Sequence, residues 1–189
     1  MKTQDRLYFD SFKDVVKAVN STLDRREVLD LLVSNVAKVM DLKAAAICML
    51  HSKKRTLELL ASHGLSEKYI NKGSLDADKS IADAMNGSTV SVYNATEDPR
   101  IQYPKEAAEE GIASIISVPL SCKGYVIGVL RLYTAEPREF SEIEMNFAEA
   151  LSEVGALAIE NAGMHTAIKE DYAAIMSEMH DFVSYRRRI

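Results

Sequence analysis

Tryptophan is absent from the chain, and cysteine occurs only twice, as Cys48 and Cys122, far apart in sequence. Two distant thiols make no disulfide framework, so the fold must rest on a hydrophobic core, and no oxidising compartment is implied. Proline (4) and glycine (8) are scarce among 189 residues, which argues against a low-complexity or unfolded chain. Basic charge is not in excess either: the formal net charge is -5, so nucleic acid is not held through bulk positive potential. The start, Met1 to Asp10, lacks an apolar signal core. No uninterrupted apolar run approaches the roughly 20 residues needed to cross a bilayer. A cytoplasmic location with no membrane partner follows by elimination. What is present is ordinary: 47% hydrophobic and 27% charged residues, enough for one domain with helical extensions.

Helical spacing opens the chain. Phe12, Val15, Val16, Val19 and Leu23 predict a helix over about 6–23. Asp24 with Glu27 three residues later reads as a capping box for a second helix, about 25–40, with Val28, Leu29, Leu32, Val36 and Val39 on one face. The period then changes. Residues 44–50 and 57–62 read as two strands joined by a polar turn. Gly64 and Gly73 punctuate a loop. Ser80 to Asn86 suggests a short helix ended by Gly87, and Thr89 to Tyr93 a short strand. Pro104 starts another short helix, where its missing N–H costs nothing, and Gly111 stops it. The clearest strands are Ala113 to Leu120 and Tyr125 to Thr134, turned by Cys122-Lys123-Gly124. After them Ser141 with Glu144 forms a second capping box. From there to Arg188 no proline interrupts a very long helix, and only Gly155 and Gly163 weaken it.

That helix carries the sharpest period in the chain. Phe147, Leu151, Val154, Ala158, Asn161, His165, Ile168, Tyr172, Ile175, Met179 and Phe182 are spaced alternately by four and three. This heptad seam runs for about five repeats, or roughly 54 Å. Its first half suits packing on the helix's own domain. Its second half, Ile168 to Phe182, outreaches a domain of this size and predicts a parallel helical homodimer. Asn161 in the seam is of the type that fixes register. His165 is either an ordinary seam histidine or a group titrating near neutral pH.

The segments Gly111-Ile-Ala-Ser-Ile-Ile-Ser-Val-Pro-Leu120, Gly124-Tyr-Val-Ile-Gly-Val-Leu-Arg-Leu132 and Phe140-Ser-Glu-Ile-Glu144 closely resemble the GAF domain signature. Asn94-Ala-Thr-Glu-Asp-Pro-Arg100 and Ala158-Ile-Glu-Asn-Ala162 fit the same pattern. No single piece is diagnostic; their order and spacing are. The resemblance implies an α+β fold. A mostly antiparallel five- or six-stranded sheet has helices from both chain ends on one face and a ligand cavity on the other, followed by the long C-terminal helix. The organisation expected is a dimer-forming helix over 1–23, a sensory domain over 24–162, and an extension of the signalling helix over 163–189. Members of the family bind small molecules and pass the signal through their terminal helices; others bind nothing and serve as dimerisation units.

The alternation on the last strand puts Val126, Gly128, Leu130 and Leu132 on one face, with Gly128 expected to admit a helix closely. Tyr125, Ile127, Val129, Arg131 and Tyr133 take the other face, which by resemblance faces the cavity together with Ala113, Ile115, Ser117 and Pro119. The expected pocket is lined by Met85, Tyr93, Tyr103, Ile115, Ser117, Arg131 and Tyr133, with Asp98 and Arg100 on a covering loop. Arg131 is the informative member: a mid-strand arginine needs an anionic ligand or, alternatively, an internal carboxylate or a solvated sheet edge. Asp98-Pro99-Arg100 also reads as a structural turn. Arg186-Arg187-Arg188 suits a helix C-terminus, or alternatively a contact with an output domain or acidic partner.

The specialised motifs of the family are missing. There is no cysteine where bilin-binding members attach chromophore and no Asn-Lys-Phe-Asp-Glu pattern of cyclic-nucleotide members. His51, His63, His165 and His180 are read as lying off the pocket strands, which argues against haem. Members that reduce free methionine sulfoxide cluster cysteines in an arrangement that Cys48 and Cys122 do not match. No nucleophile–base pair or metal-ligand spacing appears. The expectation is a regulatory, non-enzymatic module that binds an unknown small molecule. The alternatives are a ligand-free dimerisation scaffold and, third, a redox enzyme.

Overall fold

The computed structural model describes residues 3–22, 24–51, 53–78 and 81–186, with side chains up to Ser177. Expectations resting on Leu23, Ser80, Arg187, Arg188 and the side chains of Met179, His180, Phe182 and Arg186 lie outside the described residues. Twelve elements follow one another among the described residues: α1 (Thr3–Ser21), α2 (Arg25–Val39), β1 (Ala44–His51), β2 (Thr56–His63), α3 (Glu67–Ile70), β3 (Leu75–Asp76), α4 (Ala82–Met85), β4 (Val90–Val92), α5 (Pro104–Glu110), β5 (Ser114–Cys122), β6 (Tyr125–Thr134) and α6 (Glu142–Arg186). The six strands form one sheet in the order β3-β2-β1-β6-β5-β4, every neighbouring pair antiparallel. The span between Gly64 and Gly73, read above as a loop, holds the single-turn helix α3 and leads directly into β3.

Helices from both chain ends cover one face. The buried stripes of α1 (Tyr8, Val15), α2 (Val28, Leu29, Leu32, Val33, Val36) and α6 (Phe147, Leu151, Ile159) meet Ala45 and Ile47 of β1, Ile116, Val118 and Leu120 of β5, and Leu130 and Leu132 of β6. Tyr8 stacks on Phe147 with ring centroids 4.7 Å apart, closing the outer end of this core. Gly155 of α6 lies over the sheet where an added Cβ would stand 3.2 Å from Leu32 Cδ1 and 3.4 Å from Leu120 Cδ2. The glycine expected only to weaken the helix is what lets it approach.

Gly128 has a different reason from the one expected. A Cβ there would fall 2.2 Å from the Cys48 carbonyl oxygen of β1, so backbone of the neighbouring strand, and not a helix, requires the glycine. The β5–β6 register shifts between Leu120 and Ser121, which leaves Ile127 unpaired in a bulge. Ile127 accordingly packs on the helix-side core, against the expected alternation.

The two expected caps differ. Ser141 and Glu144 exchange both contacts: the Glu144 N–H donates to Ser141 Oγ (3.3 Å) and the Ser141 N–H to the Glu144 carboxylate (2.8 Å). At α2, Asp24 Oδ1 accepts from the Arg26 and Glu27 N–H groups, but its own N–H donates to Thr22 Oγ1 at 3.0 Å, so the box is half made. Arg138 Nη2 donates to Glu144 (2.6 Å) and to the Met40 carbonyl (3.3 Å), tying the start of α6 to the end of α2.

Candidate functional site

Small side chains open a hollow on the face away from the terminal helices. There β1 carries Ala44, Ala46 and Cys48, paired across the strand with Tyr133, Arg131 and Val129 of β6. Alanine is a poor strand former, and three small residues on a central strand leave volume unfilled. Over this hollow lies the segment from Leu65 through α3 to β3. The result is a cavity of about 350 Å³ floored by Ala46, Cys48 and Tyr133, sided by Leu57, Glu58 and Leu59 of β2, and roofed by Leu65, Ile70, Asn71, Lys72, Gly73, Ser74 and Leu75.

The roof is pinned to α5. Ser66 caps α3 by accepting from the Tyr69 N–H (3.1 Å), while the Glu110 carboxylate accepts from the Ser66 N–H (2.8 Å) and hydroxyl. Tyr69 is buried and meets Tyr133 edge to face, with centroids 6.1 Å apart. At the other end, Tyr103 donates its hydroxyl to the Ser74 carbonyl (3.0 Å), and Gln102 accepts from the Asp76 N–H (2.9 Å).

Lys72 lines the cavity, whereas Arg131 does not line it but lies buried beside its floor residues Ala46 and Tyr133. Lys72 donates to the Tyr69 carbonyl at 3.0 Å, with its ammonium 3.7 Å from the centre of that ring. Partial burial, and then the nearby Arg131 charge, lower the Lys72 pKa to about 8. Arg131 is 2% exposed on the central strand β6, its guanidinium 5.5 Å from the centre of the Tyr133 ring. Ser117 of β5 and Ala46 of β1 flank it in register. Its Nε and Nη1 have no hydrogen-bond partner among the described residues, and no described carboxylate forms an ion pair with it. Neither structural alternative, an internal salt bridge or a solvated edge, describes this arginine. An unpaired buried cation costs several kcal/mol, so the site carries an unmet demand for negative charge. The Cys48 thiol on the floor is driven up in pKa by burial, against the opposing pull of Arg131 and Lys72, and stays neutral. Burial likewise raises Tyr133 and Tyr69.

The other expected pocket residues are dispersed. Ile115 is buried beside Ala46 and Tyr133 in the core next to the cavity. Ser117 is buried opposite Arg131. Met85 and Tyr103 pack against the buried cluster of Cys48, Leu57, Leu75 and Ile81 and do not line the cavity. Tyr93 is 56% exposed and does not line the cavity. Asp98 and Arg100 pair with each other, Arg100 also donating to the Ser91 carbonyl, so they stitch a loop to β4 and do not cover the cavity. His51 and His63 prove to be the last residues of β1 and β2, which flank the cavity, although neither lines it. Of the residues that line the cavity the sequence named only Tyr133; Ala46 and Cys48 of the floor, the β2 side and the whole roof with Lys72 were missed, and the run Ala44-Ala45-Ala46 in a strand was the available signal. Among the described residues no cluster of three or more His, Cys, Asp or Glu is placed to hold a metal.

The seam of α6 divides in two. Phe147, Leu151 and Ala158 are buried in the domain's own core, with Val154 packed against it. Asn161, half-buried, borders a small niche with Val19 and Val28. From Gly163 to Ser177 every residue but half-buried His165 is exposed, including Ile168 (67%), Tyr172 (64%) and Ile175 (57%). Leu157 and Met164 are exposed on the same helix, as are Leu7 and Phe9 on α1.

A family model described as a GAF domain matches residues 22–160. The formate hydrogenlyase transcriptional activator of Escherichia coli is 25% identical over 169 residues, covering 81% of this chain and 24% of that protein. The chain thus spans about a quarter of the length of the curated relatives it matches. The GAF domain of an Acinetobacter phosphoenolpyruvate-protein phosphotransferase superposes with a TM-score of 0.73 at 26% identity, covering 87% of this chain and 97% of that one. Free methionine-R-sulfoxide reductase of Neisseria meningitidis, solved with its substrate, gives 0.73 at 17% identity, covering 87% and 95%, which is a likeness of fold.

Proposed function

Because the chain belongs to the GAF domain family, we propose that it is a sensory or regulatory module. It takes a small molecule in the cavity over β1 and β6 and signals through terminal helices paired with those of a second copy. The observation that carries this reading is the cavity itself: about 350 Å³, on the sheet face opposite the terminal helices, with Lys72 in its roof and the unpartnered Arg131 buried beside its floor. A pure scaffold needs no such hollow, since a filled face is more stable. Kinship with a transcriptional activator supports a regulatory setting. The redox alternative is disfavoured by the thiols. Cys48 pairs with Val129 and Cys122 with Tyr125, roughly 13 Å apart along β6, too far for exchange between them.

Protein purified from its native host and gently denatured is expected to release a stoichiometric small molecule, identified by mass spectrometry. Failing release, melting temperatures with nucleotides, amino acids and 2-oxo acids are expected to rise for one class. Neither release nor stabilisation would leave the scaffold. The helix half is tested separately: Ile168→Asp with Ile175→Asp is expected to halve the mass seen by sedimentation and to change folding stability by less than about 0.5 kcal/mol, since both side chains are exposed. An unchanged mass would remove α6 as the dimer element.

A further inference from the structure

We infer that the cavity is an oxyanion receptor, holding the carboxylate or phosphate of a small organic molecule between Arg131 and Lys72; this rests on the cavity being the module's ligand site. Three observations converge. Arg131 is not on the cavity wall itself but lies directly beside it, paired across the strand with Ala46 and two positions from Tyr133, both of which line it, and its Nε and Nη1 have no partner although the side chain is only 2% exposed. Neither flanking partner, Ala46 or Ser117, carries a charge that would answer it. Lys72 approaches from the roof and uses one donor on the Tyr69 carbonyl, leaving two of the three that an ammonium has.

The carboxylates that act on Lys72 from outside do not fill the site. Glu110 is engaged by Ser66 on α3, and Glu106 lies with it on α5, outside the cavity wall. Glu58, on the wall, is exposed. The neutral Cys48 thiol offers no competing negative charge. Leu57, Leu59, Leu65, Ile70 and Leu75 make much of the remaining wall apolar, so the oxyanion is expected at the end of a short carbon skeleton. Charge-assisted bonds from two cations in a partly desolvated site favour an ionised head over an isosteric neutral one.

Cys48 supplies the reporter. In a Cys122→Ser background its reaction with iodoacetamide is followed alone and with acetate, butyrate, succinate or inorganic phosphate, against acetamide, butyramide and succinamide. At least one anion is expected to slow alkylation by about tenfold at a concentration ten times its Kd, and to raise the melting temperature, while its amide does neither. Protection should vanish in Arg131→Met, weaken in Lys72→Met and persist in part in Arg131→Lys. If Arg131→Met does not fold, the Lys72→Met and Arg131→Lys comparisons decide. Protection by phosphate alone would support a phosphoryl ligand, and by carboxylates alone a carboxylate ligand. Equal protection by amides, or anion protection surviving in Arg131→Met, would overturn the oxyanion site while leaving a small-molecule cavity. No protection by any probe would overturn both.

Discussion

On the helix face of the sheet, Ile47, Ile116, Leu120, Leu130 and Leu132 meet Leu29, Leu32 and Leu151 with 1% exposure or less. On the other face the same strands set Ala44, Ala46, Cys48 and Ser117 around an unpaired arginine. Alternate residues of one strand thus serve opposite ends. The branched and long side chains of one face fill space and stabilise the fold; the short ones opposite withhold volume and leave room for something else. Burial is nearly complete on both faces, so burial alone does not tell them apart. Size and polar satisfaction do.

The comparison can be broken most sharply on the filled face. Leu32→Ala should lower unfolding free energy in urea by about 3–4 kcal/mol, since the sheet and two helices cannot collapse onto the gap. A loss below about 1 kcal/mol would mean that this face is not the tight one. On the open face the sign should reverse: Arg131→Met should stabilise the ligand-free protein by about 1–3 kcal/mol, because an unsatisfied buried charge is replaced by an apolar side chain. Destabilisation would show that the guanidinium is internally compensated. Leu59→Ala, on the cavity wall and 37% exposed, should cost less than about 1 kcal/mol by the same measurement.

The remaining test is one of pH. Burial and Arg131 depress the Lys72 pKa to about 8 from its ordinary 10.5. Between those values the unfolded chain holds a proton that the folded one has released, so stability rises as pH climbs from about 8 to 10.5, falls over the same window as pH drops, and levels off below about 8. Lys72→Met should lack this slope, so the two proteins' stability–pH curves should diverge as pH falls from about 10.5 to about 8, with Lys72→Met the more stable of the two below pH 8. Parallel curves would place Lys72 in free solvent.

Much of the fold was legible because its signals are long: periodicity over α1, α2 and α6, β-branched runs in β5 and β6, and the Ser141 capping box. The cavity was not, for three physical reasons. Its roof is built from α3 and β3, four and two residues long, shorter than any window in which a period can be read. Lys72 and Arg131 come together only through strand order and the roof's return over β1, which local patterns do not encode. The bulge at Ile127 breaks the alternation that assigned one end of β6 to the cavity. Arg131 was singled out correctly as a costly residue in the middle of a strand; that it has neither a carboxylate partner nor an edge emerged only from the pairing of β1, β6 and β5.

The clamp of Arg138 on Glu144 and the Met40 carbonyl fixes where α6 begins, while among the described residues its outer half is exposed from Gly163 to Ser177 apart from His165. Mechanically, α6 is an indicator needle on a fixed hub. The length from Gly163 to Arg186 is about 36 Å, so a rotation of about 10° in the packed half sweeps the tip by roughly 6 Å, more than one helical turn. A displacement too small to notice at the sheet becomes, at the far end, a change of neighbour.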